Sequence, residues 1–278
     1  MEEQNYEELP ELKYEEIPEI KKRIKETIRE IGVTTESQNR LPIFEPSNKP
    51  REGIRVFEGK YGRLTVKGRL GQPHKNLLEV ILWKKELHDY FKDGKSKYLK
   101  VLYDEEKIRR YLSQKSIYSY ERYRILLEDM IRTVITLETE KLKTQGTLIM
   151  QIDESPVLKP VKSRSPIIPK QVPLVTIKFG AVATELIENE LKFTYDPKPI
   201  MQLRSGISQA IVRYLRTHKD HPPAGYHLRA LLENLEKQME DKKWWEIRRY
   251  LKEDAEKLEE LGIVINFKED KLFVINKT

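Results

Sequence analysis

Lysine and arginine side chains recur at helical spacing in residues 242–261, near the C-terminal end of the chain. The apolar residues of this segment share one side of the expected helix: Trp244, Ile247, Leu251, Ala255 and Leu258. The opposite side begins with cations and becomes acidic only at Glu253 and Glu256. Cations in this arrangement donate hydrogen bonds to phosphate oxygens and guanine edges, so the pattern predicts a helix that contacts DNA. The alternative is a solvated outer side, with Trp245 packed on a neighbouring element.

A short hairpin follows this helix and extends the candidate DNA surface. Residues 262–267 and 271–275 have the pattern of two strands, joined by a turn at 268–270. Helices predicted over 201–217 and 228–238 precede the basic helix, so the order is helix, helix, helix, strand, turn, strand. That order is typical of a winged helix. The DNA-binding residues that we expect in this second domain are Lys242, Lys243, Trp245, Arg248, Arg249, Lys252, Lys268 and Lys271.

The same order of elements is predicted once before, in the middle of the chain. Apolar periodicity indicates a helix over 74–90, a second helix around Ile108 and a third over 119–134. Two strands then follow, over 133–137 and 147–152, joined by a basic turn. The two predicted series of helices and strands together indicate an α+β fold class, with two tandem winged-helix domains behind a partly helical N-terminal arm.

The third helix of the first domain carries mixed charges on its outer side. Glu121, Glu128 and Asp129 lie among its arginines, and Ile125 also faces outward. We therefore expect this domain to hold the DNA backbone more than to read bases, and to share in dimer formation. The residues expected at DNA here are Lys115, Ser116, Tyr118, Ser119, Arg122, Arg124, Lys141 and Lys143.

Prolines and charges divide the chain into three segments. Residues 1–52 are expected to form an acidic N-terminal arm and linker, 53–195 the first winged-helix domain, and 196–278 the second, DNA-binding domain. Within the first domain, the proline-rich segment 155–171 is expected to be an exposed basic loop. The cations of that loop are Lys159, Lys162, Arg164 and Lys170.

The charge balance favours a polyanionic partner. The 278 residues include 52 Lys+Arg and 45 Asp+Glu, which gives a net charge of +7. Residues 1–50 hold 8 basic and 12 acidic side chains, so residues 51–278 hold 44 and 33, a balance of +11. A lysine- and glutamate-rich surface of the thermophile kind would have a similar composition without any ligand. The absence of cysteine, of a signal-like start and of an apolar run near the ~20 residues of a membrane span predicts a cytoplasmic protein.

The sequence lacks the motifs of the enzymes that it could otherwise encode, so we expect no catalysis, no cofactor and no metal. No two of the five histidines are one residue apart, the spacing that a metal-dependent replication nuclease needs. His218 and His221 fall beside Pro222 and have the pattern of a solvated turn. Residues 93–96 (DGKS) end like a phosphate-binding loop, but Asp89 stands where that loop requires glycine.

Three stretches carry a resemblance to a known family. They are the strand 62–67 with the helix that follows over 70–82, the helix 206–215, and the segment 245–251 with 258–263. Together they resemble the iteron-binding plasmid replication initiators, particularly the TrfA-like and RepA-like proteins with tandem winged helices, over roughly residues 54–276.

The resemblance implies the roles of both domains. The second domain would make the principal base contacts, with Lys242, Arg248, Arg249 and Lys252 reading bases or holding phosphates. The first would support dimerisation in a dimer–monomer equilibrium. The implied partners are double-stranded DNA with repeated origin sites and a host replication initiator or helicase, for which the acidic arm is a candidate docking segment.

The hypothesis from sequence is an origin-binding plasmid replication initiator that assists melting and recruits host replication proteins. Two alternatives stay open. One is a winged-helix transcriptional repressor or partition-type DNA binder, since the same module serves each purpose. The other is an interaction scaffold that does not bind DNA.

Overall fold

The structure is a computed structural model that describes residues 34–35, 39, 41–59, 62–94, 96–113, 116–138, 143–161, 170–188, 192–235 and 241–275. It is a mixed α and β protein with antiparallel sheets, which confirms the expected α+β class. Within the described ranges, buried apolar side chains form two cores, one from residues between 43 and 187 and one from residues between 200 and 272. We call the parts around these cores the first body and the second body.

The first body combines two four-stranded antiparallel sheets with helices. In chain order its elements are β1 (Thr34–Thr35), β2 (Gly53–Gly59), β3 (Gly62–Gly68), α1 (Gln72–Lys84), β4 (Leu87–Asp93), β5 (Ser96–Tyr103), α2 (Glu105–Leu112), α3 (Tyr120–Arg132), β6 (Val134–Glu138), β7 (Lys143–Thr147), β8 (Ile149–Val161), β9 (Lys170–Phe179), α4 (Ala181–Glu188) and β10 (Lys192–Phe193). The strand orders are β2-β3-β6-β7 and β4-β5-β9-β8, and β1 pairs with β10. Helix α1 lies at the centre of this body, with Leu77, Val80 and Ile81 fully buried.

The helix expected over 74–90 ends earlier, at Lys84, so the predicted C-terminal boundary was wrong. Residues 87–93 are strand β4, which pairs with β5 across a turn at Gly94. The apolar residues Leu87, Tyr90 and Phe91 continued the helical period in the sequence, but their backbone pairs with the neighbouring strand instead.

The segment 155–171 is not a free loop along its whole length, as the sequence had suggested. Strand β8 continues to Val161 and pairs with β9 from Lys170 onward, in the register Val161↔Lys170 and Leu158↔Pro173. β8 is the edge strand of its sheet, where a proline removes no ladder hydrogen bond if its nitrogen points outward. The irregularity between Glu154 and Leu158 contains Pro156.

The hairpin after α3 also differs from the prediction. Its second strand is β7, over 143–147, so Lys143 lies in a strand and not in the connecting turn. Leu148, which is buried, separates β7 from β8, and residues 149–152 belong to the other sheet. The predicted strand over 147–152 had therefore merged the end of one strand with the start of the next.

The second body contains helices in front of a small three-stranded sheet. Its elements are α5 (Lys198–Met201), α6 (Gly206–Leu215), β11 (Tyr226–His227), α7 (Leu228–Leu235), α8 (Asp241–Glu253), α9 (Ala255–Glu260), β12 (Ile263–Asn266) and β13 (Lys271–Val274). The strand order is β11-β13-β12, and β12 pairs with β13 as an antiparallel hairpin. The expected hairpin is therefore present, with an additional short strand, β11, that the sequence did not reveal.

The long helix predicted over 242–261 is divided in two at Asp254. This residue is buried, and its carboxylate accepts the backbone N–H groups of Arg204 at 2.8 Å and Ser205 at 2.9 Å. Ser205 in turn caps the N-terminus of α6 by accepting the N–H of Ile207 at 3.1 Å. The helical period continues across Asp254 in the sequence, so the break could not be read from periodicity.

The first body includes residues that precede position 53, the domain boundary predicted from the sequence. Ile43 and Phe44 are buried in the first core, and the N–H of Glu45 donates to the carbonyl of Leu70 at 2.9 Å. The prolines around these residues suggested a linker, whereas the two apolar side chains hold the segment on the body. Residues 1–33, with the helix predicted over 17–31, lie outside the described residues.

Candidate nucleic-acid interface

The outer side of α8 presents one line of exposed side chains. Trp245, Arg249 and Lys252 follow one another at spacings of four and three residues, so they share a helix side. Trp245 is 65% exposed, and its ring centroid is 5.3 Å from the Arg249 guanidinium. The ring of Tyr250 is 5.0 Å from the same guanidinium. Contact with two aromatic rings restricts the conformations of Arg249 while leaving its planar donors at the surface.

Arg248, the neighbour of Arg249, is held by the hairpin. It donates from Nη2 to the carbonyl of Phe267 at 2.5 Å, and its Nη1 is 2.8 Å from a carboxylate oxygen of Asp270. Its guanidinium also lies 6.0 Å from the rings of Trp244 and Phe267. The structure therefore separates two residues that the sequence had assigned alike, because these contacts make Arg248 a brace between α8 and the turn after β12.

Three of the lysines predicted at DNA in the second body lie on or against the same hairpin. Lys252 is exposed, with Nζ 5.4 Å from the ring centroid of Phe267. Lys268 is exposed in the turn, and Lys271 is partly buried in β13 opposite Asn266. Lys242 and Lys243 lie in the first turn of α8, but their side chains are outside the described part of the chain.

Acidic side chains are also present near this surface. Glu253 lies 4.0 Å from Nε of Arg249, one turn further along α8, and Glu246 is exposed. Further exposed carboxylates, Glu256 and Glu259, belong to α9, the separate helix after the break. Arg249 and Lys252, the described cations of this surface, therefore lie in the C-terminal half of α8, and Lys268 adds a cation from the turn of the hairpin.

In the first body, α3 brings only part of its predicted set to the surface. Arg122 and Arg124 are exposed, as are Ser116 and Ser119. Ser119 caps the helix, because its Oγ accepts the N–H of Arg122 at 3.5 Å. Tyr118 is half-buried, burial raises its pKa, and its carbonyl accepts from Arg109 at 2.9 Å.

Apolar side chains are exposed beside the arginines of α3. They are Ile117, Tyr120 and Ile125, whose exposed fractions range from 40% to 52%. Acidic residues lie among them: Glu121 is exposed, and Glu128 pairs with Arg132 at 3.4 Å. This side of the first body is therefore more mixed in character than the α8 surface.

Lys143 does not join α3 as a free cation. Its Nζ is 2.7 Å from Glu138 across the β6–β7 hairpin, and this contact lowers the pKa of Glu138. Lys115 and Lys141 lie outside the described residues, as do Lys162 and Arg164, and the side chains of Lys159 and Lys170 are not among those described.

The described residues hold no group of three or more histidine or acidic side chains that could bind a metal ion. Nδ1 of His218 is 3.0 Å from the carbonyl of Tyr214, and Nδ1 of His221 is 2.9 Å from the hydroxyl of Tyr226. Among the described helices, none has the length and apolar character to cross a membrane.

A buried ionic cluster lies where the two bodies meet, and it was not predicted from the sequence. Arg213, on α6, donates from Nε and Nη2 to both carboxylate oxygens of Glu79, on α1, at 2.9 and 2.7 Å. The Tyr195 hydroxyl donates to the same carboxylate at 2.8 Å, and Nζ of Lys75 is 3.8 Å from it. We call these four side chains the junction cluster. The only sequence signal was the pair Lys75–Glu79 at helical i,i+4 spacing, and such pairs also occur on the exposed surfaces of helices.

Charge coupling and burial set the protonation of the junction cluster. Burial alone would raise the pKa of Glu79, but Arg213 and Lys75 together lower it, so Glu79 is a carboxylate. Burial lowers the pKa of Lys75 to about 7. The negative charge of Glu79 raises this pKa and the positive charge of Arg213 lowers it, but both effects are smaller than that of burial. Burial and the adjacent Glu79 carboxylate raise the pKa of Tyr195, so its hydroxyl remains a donor.

Comparison with known proteins identifies a related fold. No protein-family model matches the chain, and no curated protein has a significantly similar sequence. Among solved structures, the crystal structure of selenomethionine derivatives of domain 2 and domain 3 of RctB is similar, with a TM-score of 0.52 at 12% identity over 81% of this chain and 85% of that one. A second crystal structure of RctB domains 2-3 gives a TM-score of 0.46 at 12% identity over 82% of this chain and 86% of that one. The first of these similarities shows that the chain shares the fold of two consecutive RctB domains.

Proposed function

We propose that the chain is a sequence-specific double-stranded DNA-binding protein of the replication-initiator kind, built from two tandem winged-helix modules. In this proposal α8 is the recognition helix of the second module, and the β12–β13 hairpin is its wing. RctB is itself a replication initiator, and the shared fold supports this class of function. The finer assignment, to plasmid initiators that bind repeated origin sites, follows the sequence resemblance.

The observation that carries the proposal is the exposed Trp245–Arg249–Lys252 line on α8, with the hairpin braced behind it by Arg248. A helix enters the major groove when its outer side carries donors and a second element supports its angle of approach. Arginine reads guanine through two parallel hydrogen bonds, and lysine holds phosphate as a point charge. No cofactor or catalytic group is needed, because counterion release supplies affinity.

The first body contributes backbone contacts and self-association in this proposal. Arg122 and Arg124 supply phosphate contacts, while the exposed Ile117, Tyr120 and Ile125 offer apolar area of the kind found at protein interfaces. Host replication proteins would be recruited once the chain is bound at an origin.

The test is a two-part assay on the full chain. A random-sequence duplex library yields the preferred site, and a plasmid whose only origin candidate contains that site is then scored for maintenance when the chain is supplied in trans. An initiator selects a defined site and maintains the plasmid, whereas a repressor selects a site but fails to maintain it. Failure to retain any duplex at low salt would exclude DNA binding and favour an interaction scaffold.

A further inference from the structure

The two bodies are joined by a buried ion pair in which one arginine donates four hydrogen bonds. Arg213 of the second body is 3% exposed, and Glu79 of the first body is fully buried. Besides its two bonds to Glu79, Arg213 donates from Nη1 to the Gln72 side-chain oxygen and from Nη2 to that of Asn76, each at 2.6 Å. Gln72, Asn76 and Glu79 all lie on α1, so a single side chain of α6 is bonded along two turns of a helix in the other body.

A short segment of the chain is wedged between the same two helices. Residues 41–50, which we call the strap, pass between the N-terminal end of α1 and that of α6. The carbonyl of Ser47 accepts the N–H of Gln72 at 3.0 Å, and the amide of Asn48 donates to the carbonyl of Arg204 at 2.5 Å. The strap is therefore hydrogen-bonded to both bodies.

Close approach of the strap requires glycine at both helix starts. A Cβ on Gly71 would lie 2.6 Å from the carbonyl oxygen of Ser47, and one on Gly206 would lie 2.7 Å from the carbonyl carbon of the same residue. Both distances are shorter than an ordinary van der Waals contact. The neighbouring atoms belong to the backbone, which cannot move aside as easily as a flexible side chain. The strap and the junction cluster thus restrict the movement of α6 against α1 from two sides.

A buried ion pair of this kind costs desolvation energy and is a poor source of stability compared with apolar packing. Its value lies in geometry, because a bidentate pair with two further amide bonds is satisfied in one arrangement only, and any rotation leaves buried charge unpaired. The hydrophobic effect, by contrast, is non-directional. The bonding is therefore suited to fixing an angle between the bodies.

We infer that Arg213 and Glu79 are positioning residues. Together with the strap they hold α3 and α8, the helices that face DNA in the proposed function, at one separation and one rotational phase on a single duplex. The inference rests on the proposed function. When two binding modules are rigidly linked, the second contact is intramolecular, and affinity rises by roughly 10²–10⁴ only at the spacing that the link allows. The duplex places equivalent groove positions about 10–10.5 base pairs apart, so a rigid link selects one phase.

The test measures affinity against spacing with the full chain. Hydroxyl-radical footprinting of the selected site locates the segments protected by each body. Duplexes are then made with one to ten base pairs inserted between these segments, and the dissociation constant is measured for each at one salt concentration. The wild-type chain is expected to lose at least about tenfold in affinity at an insertion of about five base pairs. At the other insertion lengths it is expected to regain only part of the lost affinity.

Two variants loosen the junction in different ways. Arg213→Lys keeps the charge but loses the bidentate geometry, and the double variant E79L/R213M replaces the pair by apolar side chains. Both are expected to bind the original site more weakly and to give a flattened profile, with at most about a threefold difference between spacings. Arg110→Met is the matched control, because it removes an exposed i,i+4 pair with Glu106 on α2 and should leave the profile unchanged.

Folding is checked independently by circular dichroism and thermal unfolding. If the double variant fails to fold, Arg213→Lys and Asn48→Ala decide the question, since the Asn48 bond to Arg204 is at an exposed position. A loss of stability alone would lower affinity equally at all spacings, whereas loss of positioning changes the shape of the profile. Folded variants with the wild-type profile would overturn the inference.

The test also separates this inference from the proposed function. A wild-type chain that binds no duplex contradicts both. A wild-type chain that selects a site but tolerates every spacing equally contradicts the rigid junction and leaves DNA binding standing.

Discussion

Replacing the adjacent arginines of α8 one at a time should give opposite results. Arg249 is at the surface against two aromatic rings, whereas Arg248 is bonded to the Phe267 carbonyl and to Asp270. We expect Arg249→Ala to weaken specific DNA binding while changing the free energy of unfolding by at most about 1 kcal/mol. We expect the main effect of Arg248→Ala to be a lower free energy of unfolding. DNA binding should change only because the hairpin is displaced.

The magnitudes follow from these contacts. A bidentate arginine–guanine contact is worth about 1–3 kcal/mol, so Arg249→Ala should cost roughly 5- to 150-fold in specific affinity. In the fold, Arg249 has a 4.0 Å pair with Glu253 at a half-exposed position, which contributes about 0–1 kcal/mol. Arg248→Ala removes a charge-assisted hydrogen bond and a 2.8 Å ion pair at a partly exposed position, for about 1–2 kcal/mol of unfolding free energy.

Two measurements on each variant resolve the pair. Fluorescence anisotropy gives the affinity for the selected duplex and for a scrambled duplex at the same salt concentration. Urea unfolding, followed by circular dichroism, gives the free energy of unfolding. The ratio of specific to scrambled affinity should fall for Arg249→Ala and stay near the wild-type value for Arg248→Ala, once conditions are chosen where both are folded.

The reasoning is refuted if the roles are exchanged or shared. An Arg249→Ala chain with unchanged discrimination would remove this residue from base readout. An Arg248→Ala chain with wild-type stability and lost discrimination would show that its contacts with the hairpin turn are not its main role.

Three further outcomes are expected. Lys252→Gln should weaken specific and scrambled binding alike and make the slope of log affinity against log salt shallower by about 0.9, as loss of one phosphate contact requires, with an unchanged slope as the contrary result. Because burial lowers the pKa of Lys75 to about 7, the unfolded chain binds more protons above that pH, so the free energy of unfolding should rise between pH 7 and 9 by up to about 1.4 kcal/mol per unit. The Lys75→Met variant should flatten that rise in urea titrations, and an identical rise in the variant would assign the dependence to other groups. Asp254→Ala should lower the free energy of unfolding by about 1–3 kcal/mol, because two backbone N–H groups at the start of α6 lose their buried acceptor, and a variant as stable as the wild type would contradict this.

The sequence predicted elements well where an apolar stripe coincided with a real boundary. The hairpin after α9 was recognisable because β-branched residues flank a polar turn. Sequence-based prediction failed where a helical and a strand-like apolar pattern follow each other without a break. An example is the helix α1, which ends at Lys84 shortly before strand β4 begins at Leu87. The break at Asp254 was also beyond reach, since it depends on backbone donors at Arg204 and Ser205, fifty residues away in the chain.

The candidate site shows the same limit at the level of single side chains. Periodicity placed Arg249 and Lys252 on the outer side of α8, where the structure has them. It could not distinguish Arg248, whose role depends on the carbonyl of Phe267. Nor could it find the junction cluster, because Arg213 and Glu79 lie on helices more than one hundred residues apart. Local pattern indicates which side of a helix faces water, but not which charged groups meet across the fold.

Duplex binding through exposed cations is the premise of every role assigned above, and its salt dependence tests it most directly. Log affinity of the full chain for its selected duplex should fall linearly with log salt concentration, with a slope of roughly −3 to −5, as expected for several phosphate contacts. A slope near zero, or no retention of duplex at low salt, would contradict the account.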